Sequence, residues 1–163
     1  GCSNLRAFQI DYYLRYADEN SLTRFVSLQP HYNAINRVIE LEVLPLCRRE
    51  GIGVISYNPL AGGMLTGKYT AENPPTGGRA RRYNGQFLKD LKPLIDKMKE
   101  IGEAHEGKTP VQVACNWIIA KGAIPIPGAK NARQARDITS SLDWSLTHED
   151  VAVLDEISHQ ILH

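Results

Sequence analysis

The run Tyr57-Asn58-Pro59-Leu60-Ala61-Gly62-Gly63-Met64-Leu65-Thr66-Gly67-Lys68-Tyr69 gathers the residue types needed to hold a flat, phosphorylated ligand. An aromatic ring at the end of a buried strand stacks on a planar group, backbone N–H groups of a small-residue turn hold phosphate, and a lysine adds a cation beside them. The spacing from Gly62 to Gly67-Lys68 fits GxxxxGK, but Tyr69 stands where that phosphate loop needs a hydroxyl for magnesium, and the chain has no GxGxxG. On spacing alone a phosphate-binding turn and a plain glycine-rich turn both stay open.

A second segment, Gly128-Ala129-Lys130-Asn131-Ala132-Arg133-Gln134-Ala135-Arg136-Asp137, predicts a turn into a helix whose N-terminus can receive an anion, with Lys130 and Arg133 adding charge. By itself it reads as readily as a solvated basic helix face. The histidines outside these runs, His105, His148, His159 and His163, have no metal-ligand spacing. Ser27 and Ser56 lie inside strands and not on a GxSxG elbow, and Trp117 sits in an apolar helix as a core residue. His31 is read as a loop residue, and Arg79, Arg81 and Arg82 as a cluster in a solvated Gly-Pro loop.

These segments need strands and helices to place them. Arg24–Gln29 and Gly53–Tyr57 are nearly continuous apolar, β-branched runs, the pattern of strands buried on both faces of a parallel sheet, and Ala123–Pro127 is a weaker third strand because of its prolines. Thr109-Pro110-Val111-Gln112 predicts a capped helix running to about Lys121, and Thr147-His148-Glu149-Asp150 another, with Val151, Leu154 and Ile157 on one face. A third helix ends near Gly51 with Pro45 in its first turn, and a fourth carries Leu94, Ile95, Met98 and Ile101 with Pro93 as its first residue. The alternation argues for an α/β fold with a parallel sheet. Residues 70–90, rich in Gly, Pro, Asn and Arg, interrupt it as a functional loop or an insert.

The 163 residues suffice for one domain, and 19 Lys and Arg against 18 Asp and Glu leave a charge of +1, too little to drive binding to nucleic acid or an acidic membrane. No apolar run is long enough to span a bilayer and no signal peptide is evident. Cys2, Cys47 and Cys115 are too few and too scattered for a disulfide framework, so a reduced, cytoplasmic protein is expected, with organelle import left open because the chain has no initiator Met.

Gly1-Cys2-Ser3-Asn4, Ser27-Leu28-Gln29-Pro30-His31-Tyr32-Asn33, the run from Leu44 through Tyr69, Lys108-Thr109-Pro110 through Trp117, and Ile124-Pro125-Ile126-Pro127-Gly128-Ala129-Lys130 occur in the order found in aldo-keto reductases. The chain resembles that family along essentially its whole length, and most closely the branch that includes bacterial and plant reductases and the potassium-channel β subunits. The resemblance implies a (β/α)8 TIM barrel that binds NADP(H) and reduces carbonyl compounds to alcohols. It implies that Ser3, Asn4 and Gln29 hold the nicotinamide carboxamide and that Tyr57 stacks on the nicotinamide ring. Asn58, Pro59, Leu60, Ala61, Gly62 and Gly63 would line the pyrophosphate with Lys68 reaching it, and an arginine from 79–82 would fold over it. Gly128, Lys130, Gln134 and Asp137 would surround the adenosine, Lys130 taking the 2′-phosphate. Where the family has Glu-Asn, this chain has Asp137-Ile138, which removes an amide expected at adenine.

The family's catalytic Asp, Tyr, Lys and His come from its first four strands, and the GxSN motif follows its fifth. The expectation is therefore a carboxyl-terminal portion, a partial barrel of strands six to eight with their helices, that has no catalytic residue and is inactive alone. The alternatives are a non-catalytic cofactor-binding or interaction module and an incomplete gene product. Three strands leave Phe25-Val26 and Ile124-Ile126 at or near open edges, so self-association is expected, and loop 70–90 is expected to be mobile until cofactor orders it. A small carbonyl compound is the expected substrate of the complete enzyme, with no nucleic acid or membrane partner and no metal.

Overall fold

Among the described residues four short strands pair in the order in which the chain makes them: β1 (Cys2–Ser3), β2 (Ser27–Gln29), β3 (Gly53–Ser56) and β4 (Ile124–Pro125), all parallel. The computed structural model describes residues 1–161, the side chains of Arg79 and Arg82 excepted. Cys2 lies opposite Leu28, Ser3 opposite Gln29, Ser27 opposite Gly53, and Ile55 opposite Ile124. Parallel neighbours need a crossover, and because crossovers are right-handed, strands added in one direction receive their helices on one face.

That geometry corrects the expectation of burial on both faces. Leu28, Val54 and Ser56 are buried, whereas Gln29 and Ile124, which register puts on the opposite face, are exposed, Ile124 at 61%. Val26 is 72% exposed although it belongs to the first apolar run. The strand count is also higher than expected, because the two residues of β1 are too few to leave a sequence pattern. β1 and β3 flank β2, so Phe25-Val26 do not belong to an edge strand, while β4 ends the row.

Among the described residues seven α-helices connect and cover the strands: α1 (Ala7–Glu19), α2 (Val43–Arg49), α3 (Gly78–Arg82), α4 (Gly85–Ala104), α5 (Pro110–Ala120), α6 (Ala132–Thr139) and α7 (His148–Ile161). The capping chemistry of α5 is as expected. Thr109 Oγ1 accepts from Gln112 N at 3.3 Å while Gln112 Oε1 accepts from Thr109 N at 2.9 Å. Thr147 and Asp150 make the same reciprocal pair at the start of α7. α2 holds Pro45 in its first turn and ends before Gly51, whose φ of +66° suits glycine.

Three elements differ from expectation. α1 was not anticipated; its core stripe of Ile10, Leu14 and Ala17 is masked by the exposed Phe8, Tyr12, Tyr13 and Tyr16. α4 starts at Gly85 and not at Pro93, because Asn84 caps it by accepting from Phe87 N at 2.8 Å. Pro93 lies inside on the exposed side, where the carbonyl it deprives of a partner, that of Lys89, can meet water. Residues 70–90 are therefore not all loop, since they contain α3 and the start of α4.

Between sheet and helices lies a core built on Trp117, Tyr32, Leu28, Met64, Leu94, Met98, Ile118 and Leu154. Trp117 is a core residue, as expected. Cys47 and Cys115 are buried free thiols, pushed up by burial to about 11 and about 12, which makes them poor nucleophiles at neutral pH. The link from α4 to α5 is so tight that a Cβ on Gly102 would lie 1.9 Å from the Lys108 carbonyl oxygen. Lys108 N donates to Gly102 O at 2.8 Å, and this turn delivers Thr109 to the cleft described below. No described helix is long and apolar enough to cross a membrane.

His105, just past α4, meets Asp150 of α7 at 2.9 Å. Burial pushes the Asp150 carboxyl up, but hydrogen bonds from His105 and Thr147 outweigh it and leave its pKa below the ordinary carboxylate value. A depressed folded-state pKa gives stability that is complete above the unfolded value and is lost as pH falls through the folded one. Asp150→Asn is therefore expected to lower the urea midpoint at neutral pH, with the difference from the parent chain closing as pH falls through the lowered pKa of Asp150. A difference independent of pH would show that the carboxylate's charge is not what counts.

Candidate functional site

Three groups of side chains gather at the carboxyl ends of the strands. At β1 and β2, Ser3 Oγ donates to the Gln29 carbonyl at 2.8 Å, Asn4 Nδ2 donates to Ser3 Oγ at 3.0 Å, and Asn4 N reaches the same carbonyl at 3.3 Å. Asn4 adopts φ +56°, which turns the chain sharply out of the strand. The structure thus brings Ser3 and Asn4 against the Gln29 carbonyl.

The second group continues β2 and β3. Tyr57 N donates to Pro30 O at 3.0 Å and Tyr32 N to Tyr57 O at 3.4 Å, so His31 and Tyr57 form a further parallel bridge. Side chains alternate along a strand, so His31 and Tyr57 lie on the same sheet face as Gln29 and Ile55. Their rings stack with centroids 5.1 Å apart and planes within 15°. His31, read from the sequence as a loop residue, is a strand-end neighbour of Tyr57.

The third group follows Tyr57. Asn58, Ala61, Gly62 and Gly63 have φ of +55°, +50°, +66° and +95°, so the chain coils tightly into a 3₁₀ segment over Ala61–Thr66. Asn58 Oδ1 accepts from Gly62 N at 2.6 Å, Asn58 O from Ala61 N at 3.0 Å, and Leu60 O from Gly63 N at 2.8 Å. This corrects the sequence reading: the N–H groups expected to hold phosphate are spent inside the turn. Ala61 is corrected too, since it is buried in the core and does not line the cleft. Thr66 Oγ1 donates to Gly63 O at 2.7 Å and fixes the turn from below. Lys68 folds back so that its Nζ lies 3.5 Å from where a Gly63 Cβ would be and 4.6 Å from the Tyr69 ring centroid.

Asn58, Pro59, Leu60, Gly62, Gly63 and Lys68 form one wall of a cleft of about 900 Å³, and Gly128, Lys130, Arg133, Gln134 and Asp137 form the other. The two signals read separately from sequence therefore face one space. The start of α6 differs from expectation, because Asn131 Oδ1 accepts from Gln134 N at 3.0 Å and Gln134 Oε1 accepts from Lys130 N at 2.8 Å. The helix end caps itself, and attraction for an anion passes to the side chains of Lys130, Arg133 and Lys68. Against these cations the cleft sets Asp137, whose Oδ1 accepts from Thr109 Oγ1 at 2.9 Å.

Thr66, Thr109 and Val111 also line the cleft and were not read as site residues. Thr109 was legible as a helix cap, but its bond to Asp137 spans 28 residues and leaves no local signal. Ser3, Asn4, Gln29 and Tyr57 lie outside this lining, Tyr57 directly preceding it at Asn58. Arg81 is exposed on α3, and the side chains of Arg79 and Arg82 lie outside the described residues, as does His163. Among the described residues no three His, Cys, Asp or Glu side chains gather to hold a metal.

The chain is 44% identical over 116 residues to a pyridoxal reductase, chloroplastic, of Arabidopsis thaliana, covering 71% of this chain and 31% of the relative. It is 28% identical over 165 residues to the NADH-specific methylglyoxal reductase of Escherichia coli K12, covering 99% and 48%. The fold matches a glycerol dehydrogenase from Gluconobacter oxydans with a TM-score of 0.84 at 24% identity, covering 100% of this chain and 50% of that one. The chain thus spans about half or less of the length of these relatives. The aldo/keto reductase family matches residues 1–159. With the strand-end groups and the cleft in place, the conclusion is that this chain belongs to the aldo/keto reductase family.

Proposed function

We propose that this chain forms the cofactor-binding, carboxyl-terminal part of an NADP(H)-dependent reductase of carbonyl compounds, its sheet being part of a (β/α)8 barrel. The observation that carries the reading is the single cleft that unites the turn after β3 with the turn before α6 and lines it with Lys68, Lys130 and Arg133. A dinucleotide is long, anionic at its centre and planar at both ends, and the site has that order of chemistry. Amide and hydroxyl groups of Ser3, Asn4 and Gln29 meet the carboxamide, and Tyr57 offers its ring to the nicotinamide. Lys68 meets the pyrophosphate, and Gly128, Lys130, Gln134 and Asp137 meet the adenosine with its 2′-phosphate.

The cofactor, when bound, supplies hydride to a carbonyl carbon. This chain's residues bind and orient, and the proton that the carbonyl oxygen requires is assigned to a donor outside this chain. The uncovered sheet face, with the exposed Ile124, supports self-association of the chain on its own. Composition and charge fit a cytoplasmic protein.

Calorimetric titration of the purified chain tests the reading. NADP+ is expected to bind, and steady oxidation of NADPH by a reactive aldehyde is expected to be absent. Failure to bind either NADP+ or NAD+ would overturn the cofactor assignment, and turnover by homogeneous chain would overturn the assignment of catalysis to residues outside it.

A further inference from the structure

We infer that His31 is a positioning residue for the nicotinamide and pyrophosphate half of the cofactor site, acting through Tyr57 and Asn58; this rests on the reading just given. Two contacts carry it. The imidazole covers one face of the Tyr57 ring in the stack described above, with centroids 5.1 Å apart, and so limits the ring's rotation. The second contact is with the turn. Asn58 Nδ2 lies 2.9 Å from His31 Nε2, and Asn58 Oδ1 accepts from Gly62 N at 2.6 Å.

Because Asn58 presents its oxygen to Gly62 N–H, its amide nitrogen is the group turned to His31 Nε2. On the other side of the ring, Nδ1 lies 2.8 Å from the Asn36 amide nitrogen, so the imidazole is held between two amides. Asn33 secures the same corner, donating from Nδ2 to Asn58 O at 2.9 Å while its Oδ1 accepts from Ile35 N at 3.0 Å. One imidazole therefore ties the aromatic platform to the tight turn, and the register that makes His31 and Tyr57 neighbours also fixes their spacing.

Two probes separate this inference from the cofactor reading on which it rests: NADP+, which needs the whole site, and 2′,5′-ADP, which lacks the nicotinamide and needs only the adenosine end. His31→Ala is expected to raise the Kd for NADP+ about tenfold, the combined effect of one ring contact and one hydrogen bond, and to leave the Kd for 2′,5′-ADP within about twofold. His31→Phe, which keeps a ring against Tyr57, is expected to recover about threefold of the loss for NADP+. A parent chain that binds neither probe overturns both readings. A parent that binds both, with His31→Ala unchanged for NADP+ or weakened equally for the two probes, overturns the positioning role alone, as does a failure of His31→Phe to recover any affinity.

Discussion

Replacing Arg37 by alanine is expected to destabilise the chain by about 3–5 kcal/mol, the cost of breaking a buried ion pair from one side. The Arg37 side chain is only 9% exposed. Its Nε and Nη2 bind both oxygens of Glu40 at 3.1 and 2.8 Å, and its Nη1 donates to Ser158 Oγ at 2.8 Å and to the Asp155 carbonyl at 3.0 Å. Nη1 also lies 3.2 Å from the Asp155 carboxylate, and the guanidinium sits 5.4 Å from the centre of the Trp117 ring. Tyr32 adds a 2.6 Å bond from its hydroxyl to Glu40; burial, and then that bond, push its phenol far up, so it remains a donor. Without Arg37, Glu40 keeps Tyr32 and Asp155 keeps Lys121 and Trp117 Nε1, but two carboxylates lose their shared cation in a half-buried site. Arg37→Lys should recover only part of the loss, because an ammonium cannot bind both Glu40 oxygens and reach α7 at once. Urea unfolding followed by tryptophan fluorescence gives the result directly. A midpoint unchanged in Arg37→Ala would show that the network contributes little net stability.

Lys130→Ala is expected to reduce the preference for NADP+ over NAD+ by about 10- to 100-fold, the value of one charge-assisted bond to a phosphate that NAD+ lacks. Lys130 is exposed on the cleft wall, and its backbone N–H is already held by Gln134, so the substitution removes the ammonium without unfastening the turn. NAD+ affinity should change little, and the gap between the two cofactors should be smaller at high salt. Arg133 lines the same wall and sets an upper limit on the effect, since it can take over part of the contact. Equal affinities before and after the change would remove Lys130 from the 2′-phosphate.

What the sequence revealed and what it concealed follow from the range of the forces involved. Thr109 with Pro110 and Gln112, and Thr147 with Asp150, were readable as helix starts because a cap is satisfied within three residues. Pro93 misled for the same reason. Read locally it looks like a first residue, yet Asn84 had already capped the helix and the exposed side tolerated the missing N–H. The two walls of the cleft were both legible, but that they face each other was not, because that depends on the path of β3, β4 and the helices between them. Glycines after a strand suggested free N–H groups, whereas the positive φ values they allow let Asn58 and Leu60 consume them. The pairing of His31 with Tyr57 was beyond reach for a related reason, since it arises from strand register.

The order of the sheet bears on how the chain reaches its native state. Each strand pairs with the strand that the chain makes next, so every added strand finds a neighbour already in place and closes one crossover at a time. The Arg37 network is the opposite case: its bond to the Asp155 carbonyl spans 118 residues. Loop-closure entropy makes such a contact costly until intervening elements have shortened the effective path. On a ribosome, β1 to β4 can therefore assemble as they emerge, and the segment around Arg37 is locked only once α7 has followed.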